Sequence, residues 1–271
     1  MNKYRFYIVI LLVTLIPSCE NDKFPDRENT GIPLISKIMN KDGETYKEYT
    51  YNSDNLLIEE KSKYHYTRHN YNSKDQLISS EFYFDERLFS SVANISQEAF
   101  NRTEWVNPDN TEKSLIQSFD YNNQGQLFRK TYERPNSSNS EYLEFHYENG
   151  RIIKQTGYFN NARSSIVSYY YDERGNLKKT DKCLFSSDGI ECSCTTTEYE
   201  YDDKNNPFLA FRQLMTPGEN TNRNNITKTT YTILFEVDPS VEKVTVTRNS
   251  YRYDHKGYPV RVNDDREYVY R

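Results

Sequence analysis

Apolar and polar residues alternate along most of the chain with a period of two, and Asn, Asp and Gly interrupt the alternation at short intervals. That period sends successive side chains to opposite faces of a strand. The punctuation is stereotyped. In Tyr169-Tyr170-Tyr171-Asp172-Glu173-Arg174-Gly175-Asn176-Leu177, two strands flank a turn opened by Asp172. Glu173 and Arg174 take right-handed conformations there, Gly175 supplies the positive φ of a bulge, and Tyr171 faces Leu177 across the ladder. Variants recur at Tyr51–Leu57, Tyr71–Leu77, Tyr121–Leu127, Tyr201–Pro207 and Tyr253–Pro259. Their positive-φ slot holds Asn55, Asp75, Gly125, Asn205 or Gly257, residue types that tolerate it. A shortened copy, Phe145–Ile152, uses the two-residue Asn149-Gly150 turn of type I′ and sets Tyr147 opposite Ile152.

The alternation predicts strands from Ile32 to Met39, then in pairs around each turn: Glu44–Tyr51, Leu57–Tyr64, Thr67–Tyr71 and Leu77–Phe84. From Glu86 to Asn110 the pattern lapses, and Ile95–Trp105 reads equally as a short helix or an irregular strand. Regularity resumes over Ser114–Tyr121, Leu127–Glu133, Glu141–Tyr147, Ile152–Phe159, Ser164–Tyr171 and Leu177–Phe185. Thr195–Tyr201, Phe208–Leu214, Ile226–Val237, Lys243–Tyr253, Tyr258–Val262 and Glu267–Tyr270 complete the series. The fold class is therefore all-β: an antiparallel up-and-down meander of roughly 16 to 18 strands, forming a curled sheet or a soluble barrel. No Gly/Ser linker divides residues 32–271, which read as a single domain. Because direction reverses at every hairpin, the turns near 53, 73, 123, 149, 173 and 203 are expected on one rim. The variable connections Pro135–Ser140, Asn160–Ala162, Ser186–Gly189 and Thr216–Asn225 then share the other, and only the copy at Tyr253 can break the alternation.

The first residues carry a different signal. Lys3 and Arg5, the run Phe6–Ile16, and Ile16-Pro17-Ser18-Cys19 have the order of a secretory signal. Eleven residues are too few to span a bilayer as a helix. The segment resembles a bacterial lipobox, which implies that residues 1–18 are a lipoprotein signal peptide, cleaved before Cys19, and that Cys19 is lipidated. Residues 19–31 then form a lipid-anchored linker. Glu20-Asn21-Asp22 resembles the acidic surface-export tether of Bacteroides-group lipoproteins and reads equally as plain solvated linker. Loss of residues 1–18 removes two bases and no acid, taking the net charge from −5 to −7. An acidic body argues against nucleic acid and against an electrostatic grip on anionic lipid. The chain has 25 Tyr and one Trp; Tyr suits half-wet sheet faces, where the ring packs and the hydroxyl reaches water.

The repeated Tyr-x-Tyr-Asp-x-x-Gly-x-Leu resembles the YD repeat of Rhs and teneurin-type proteins. The lipobox, the degenerate Tyr units and the tail elements Asp203–Phe208, Asn224-Asn225-Ile226 and Tyr251–Pro259 together resemble a Bacteroides-group lipoprotein family of unknown function with a porin-like fold. The resemblance covers about residues 32–271 and implies no catalytic residues. A membrane-embedded porin is a poorer fit, because ladders such as Glu198-Tyr199-Glu200-Tyr201 give no continuous apolar outer band.

Chemistry-bearing motifs are sparse. His65 and His69 fall on a strand-and-turn segment and read as surface histidines rather than a metal pair. No H-E-x-x-H, P-loop, dinucleotide-binding glycine pattern or nucleophile elbow occurs, and no cofactor is implied. A hairpin centred between Asp188 and Gly189 puts Cys183 opposite Cys194, a disulfide in an exported compartment, and Cys192 opposite Phe185. A bulged turn would bring Cys192 opposite Leu184 instead, and a three-thiolate metal site is the other reading of these cysteines. Two function classes remain. The first is a non-enzymatic lipoprotein, anchored through Cys19 in the outer membrane of a bacterial envelope and binding a glycan or a protein partner through its variable rim or Tyr-rich concave face. The second is an envelope polysaccharide hydrolase using a carboxylate pair.

Overall fold

The computed structural model describes residues 31–84, 105–214, 217, 218, 220–234 and 242–271. The expected leader, Cys19, most of the linker and Ile95–Glu104 lie outside the described residues. The first strands are β1 (Ile35–Asn40), β2 (Thr45–Tyr51), β3 (Leu57–Ser62), β4 (His65–Tyr71) and β5 (Leu77–Phe84). After them come β6 (Lys113–Tyr121), β7 (Leu127–Glu133), β8 (Glu141–Glu148), β9 (Arg151–Phe159), β10 (Ala162–Tyr171) and β11 (Leu177–Phe185). The last six are β12 (Glu191–Tyr201), β13 (Ile226–Leu234), β14 (Glu242–Arg248), β15 (Tyr251–Tyr253), β16 (Pro259–Val262) and β17 (Arg266–Tyr270). These 17 antiparallel strands form one up-and-down sheet.

The two chain ends meet in the middle of that sheet, where β1 pairs with β2 on one side and β17 on the other. Among the described residues the free edges are β14, paired only with β13, and β15, paired only with β16. The sheet is therefore curled but not closed into a barrel. Strict alternation outward from β1 gives β14 and β15 the same direction, so the expected strand Lys243–Tyr253 is two strands in series, broken at Asn249-Ser250.

The repeat turns form as their chemistry dictates. In the first copy the Asn52 side-chain oxygen accepts the N–H groups of Asp54 and Leu56, and Asn55 takes φ 60°. Asn72, Asn122 and Asp254 act identically, and Gly125, Gly175 and Gly257 hold φ between 77° and 88°. Lateral contacts place the turns on one rim. Gln76 lies against Gly125, Arg174 donates to the Asp202 carbonyl at 3.1 Å, and Asn205 N–H donates to the Gly257 carbonyl at 3.0 Å. The copy at Tyr253 thus keeps the alternation, because β15 continues the direction of β14. Asn205 departs from expectation: it lacks a positive φ, since its N–H is drawn to Gly257 rather than back into its own turn.

Two further expectations are corrected. Pro207–Leu214 is not a strand but a pair of 3₁₀ turns joined at Phe211. Asn206 caps its start by accepting the Phe208 N–H, and Phe208, Phe211 and Leu214 recur every three residues, the period of a 3₁₀ face. That face fills the curl of the sheet, Phe211 packing on Ile35, Ile38, Tyr49, Tyr51 and Leu57. Leu214 reaches a second cluster of Leu77, Phe119, Leu127, Phe145 and Ile152. The described residues of the expected Thr216–Asn225 connection, Asn220–Asn225 among them, belong to the repeat-turn rim, because they lie in the same β12–β13 connection as the Tyr201 copy. Asn222 accepts the Leu177 N–H there, and Asn176 accepts the Arg223 N–H.

Candidate functional site

The repeat tyrosines point into the curl, and their hydroxyls are spent on the fold. Where one repeat meets the next, the ladder stops short of the rim: Glu59–Arg68 and Lys179–Glu198 are the last pairs of β3–β4 and β11–β12. The carbonyls of Leu57 and Leu177, two residues nearer the rim, then receive the hydroxyls of Tyr71 at 2.7 Å and Tyr201 at 2.6 Å. Tyr121 and Tyr171 serve Leu77 and Ile152 in the same way. These rings are structural. Among the described residues, two cavities flank the 207–214 plug on the concave surface.

The first cavity, about 510 Å³, lies against the seam between β14 and β15. Six asparagines line it, Asn206, Asn222, Asn224, Asn225, Asn249 and Asn263, with the rings of Tyr46, Tyr49, Tyr251 and Tyr268. Most of the amides tie the wall together: Asn206 Nδ2 donates to the Asn222 carbonyl at 2.9 Å, and Asn263 Nδ2 to Asn249 Oδ1 at 3.0 Å. Asn222 is fully buried, and its Oδ1 accepts the Leu177 N–H at 2.8 Å. The charges of the wall are matched, Arg266 to Asp265 at 3.8 Å and Lys47 to Glu60 at 2.6 Å.

The second cavity, about 310 Å³, is lined by Glu60, His65, His69, Ser80, Gln117, Phe82, Phe84, Phe119, Lys130 and Leu214 among others. The histidines expected on the surface face this space, because residues four apart on a strand share a face. Burial would raise the Glu60 carboxyl, but the His65 hydrogen bond and the Lys47 charge overcome it and hold the group at about 2. His69 bonds Ser80 Oγ at 2.8 Å, and burial lowers its ring to about 4. No group of three metal ligands forms around the two histidines among the described residues.

Ser62, His65 and Glu60 have the contacts of a charge relay, with Ser62 Oγ 2.9 Å from His65 Nδ1 and Glu60 Oε1 2.7 Å from Nε2. The serine is no nucleophile. It is 1% exposed, and its oxygen already accepts the N–H groups of Tyr64 and His65 in the β3–β4 turn.

Cys183 and Cys194 face each other between β11 and β12 and are joined by a disulfide. The bulge of the Ser186–Ile190 turn falls between Leu184 and Phe185, which sets Phe185 opposite Glu191. Cys192 is thus opposite neither Phe185 nor Leu184, and is free and exposed. Glu191 lies near both bonded sulfurs, but a disulfide sulfur is not a thiolate ligand. Sequence reasoning missed Glu60, Lys130 and the asparagine wall, whose residues lie on separate elements; the clustered asparagines at 205, 206, 222, 224 and 225 were the one visible signal.

No protein-family model matches the chain, and no curated protein matches it. Among solved structures it is similar to a porin-like protein from Bacteroides vulgatus, at 12% identity over 88% of this chain and 99% of the other, with a TM-score of 0.43. A porin-like protein from Bacteroides uniformis aligns at 11% identity over 88% and 98% of the two chains, with a TM-score of 0.38. The Photorhabdus luminescens Tc holotoxin pore aligns at 13% identity over 83% of this chain but 12% of its own, with a TM-score of 0.30.

Proposed function

We propose that the protein is a non-enzymatic binding module that takes a neutral glycan into its first cavity and is held to the outer membrane of a bacterial envelope by a lipid on Cys19. The observation that carries this reading is the 510 Å³ concavity of amides and tyrosine rings whose charges are already paired. Sugar hydroxyls need both donors and acceptors, and sugar C–H faces need flat rings; Asn and Tyr supply these without charge. Hydrolysis has less support. Glycoside cleavage needs two carboxylates across the bond, whereas each cavity is lined by one, Asp265 or Glu60.

Titration of the full chain with neutral oligosaccharides by calorimetry tests the reading. Binding without release of reducing ends is expected, weakened about tenfold by Tyr46→Ala, which removes an accessible ring from the wall. Release of reducing ends, or binding untouched by Tyr46→Ala, sinks it. The anchor is tested separately by mass spectrometry, which should find an acylated Cys19 at the mature terminus.

A further inference from the structure

Among the described residues, Lys130 is a cation without a counter-ion on the concave face. It sits on β7 directly opposite Phe119 of β6 and Leu143 of β8. Its Nζ lies 5.2 Å from the centre of the Phe119 ring and 5.6 Å from that of Tyr132. The acid in the wall of its cavity, Glu60, is already held by Lys47 at 2.6 Å and His65 at 2.7 Å. Burial lowers the Lys130 ammonium to about 8, as expected of a cation that loses water and gains no anion. The fold gains little from such a group: a half-buried charge held by ring faces and no anion still costs stability, and groups kept at that cost concentrate at functional sites.

The rest of the wall suggests what completes it. Phe82, Phe84 and Phe119 supply aromatic rings to the wall, while Ser80 and Gln117 carry hydrogen-bonding groups. The 310 Å³ volume is at the lower end of the roughly 300 to 1,000 Å³ seen for ligand pockets. We propose that this second cavity binds a small carboxylate-bearing ligand, of the size of one uronic acid unit, with Lys130 as its counter-ion. The Glu60 carboxylate across the cavity favours a single negative charge over the doubly charged phosphate. This proposal does not rest on the neutral-glycan reading, because Lys130 does not line the first cavity.

Calorimetric titration of the full chain with glucuronate tests it, with acetate as the free-carboxylate arm and glucose as the neutral arm, all at one ionic strength. Glucuronate is expected to saturate. Lys130→Met should weaken it by at least about tenfold, the loss of a charge-assisted hydrogen bond, and Lys130→Arg should retain it. Lys130→Met should also melt no lower than the unsubstituted chain, because it removes an unpaired cation. Acetate binding with the same dependence on Lys130 assigns the ligand to simple carboxylic acids; glucuronate binding alone assigns it to sugar acids. Failure of both acids to saturate, glucose binding as tight as glucuronate, or undiminished binding by Lys130→Met overturns the proposal. So does a Lys130→Met protein that loses binding only with a lowered melting temperature.

Discussion

Tyr171 donates its hydroxyl to the Ile152 carbonyl at 2.8 Å, in the place where the β9–β10 ladder has ended at Lys154–Ser168. Phenylalanine would fill the same space, so the carbonyl left beyond the ladder is what selects tyrosine. Tyr121 repeats the arrangement, its hydroxyl donating to the Leu77 carbonyl at 2.9 Å. Tyr171→Phe is therefore expected to cost about 1 kcal/mol. Urea unfolding at neutral pH reads it, and the absence of a measurable cost would remove the role given to the carbonyl. The same burial sets the alkaline limit. It raises the Tyr171 phenol to about 12 against the opposing Arg151 charge, and Tyr132 to about 12. An unfolded tyrosine loses its proton near pH 10. Between about pH 10 and 12 the folded chain therefore holds more protons than the unfolded one, and stability falls as pH rises.

The 207–214 plug is the element on which the two cavities depend, because Phe208 lines one and Leu214 the other. Phe211 between them is 3% exposed and touches the rings of Tyr49, Tyr51 and Phe208. Phe211→Ala is expected to cost about 3 to 5 kcal/mol, measured by thermal unfolding. A loss below about 1 kcal/mol would mean that the curl holds its shape without the plug. This element was the one misread as a strand. The short apolar run Pro207–Phe211 fits strand and helix alike, and the choice is made by the concave space it fills, which no local pattern encodes. The repeat turns were legible for the opposite reason. Asn52 bonds the N–H groups of Asp54 and Leu56, so the chemistry lies within five residues. Asn205 has the same residue type in the same slot, and its geometry was lost to Gly257, a contact made only once the turns stand side by side. Glu60, His69 and Lys130 belong to three strands, and register alone brings them to one cavity.

Across the whole molecule the weak line is the seam. A sheet that pairs its first and last strands at its centre has both termini doubly paired, with β1 bonded to β2 and β17. Its edges are instead β14 and β15, consecutive in the chain and linked through Asn249-Ser250. Two backbone bonds, Asn249 N–H to the Thr227 carbonyl at 2.8 Å and Asn263 N–H to the Ser250 carbonyl at 2.9 Å, are joined there by side-chain ties. Asn249 Nδ2 donates to the Ile226 carbonyl at 3.0 Å, and Asn263 Nδ2 donates to Asn249 Oδ1 at 3.0 Å. Asn263 Oδ1 in turn accepts the Ser250 N–H at 2.8 Å. Edge segments open with less free energy than doubly paired ones, so amide exchange should be fastest in β14 and β15 and slowest in β1. Asn263→Gly isolates the side-chain tie, because glycine accepts the 54° φ of Asn263 while removing its side-chain bonds to Ser250 and Asn249. Each bond is worth about 1 kcal/mol, so exchange at residues 250–253 should accelerate about tenfold or more with β1 unchanged. Exchange mass spectrometry that finds 250–253 unaltered, or finds the increase spread evenly over all strands, would show that the seam is held by something other than this pair of amides.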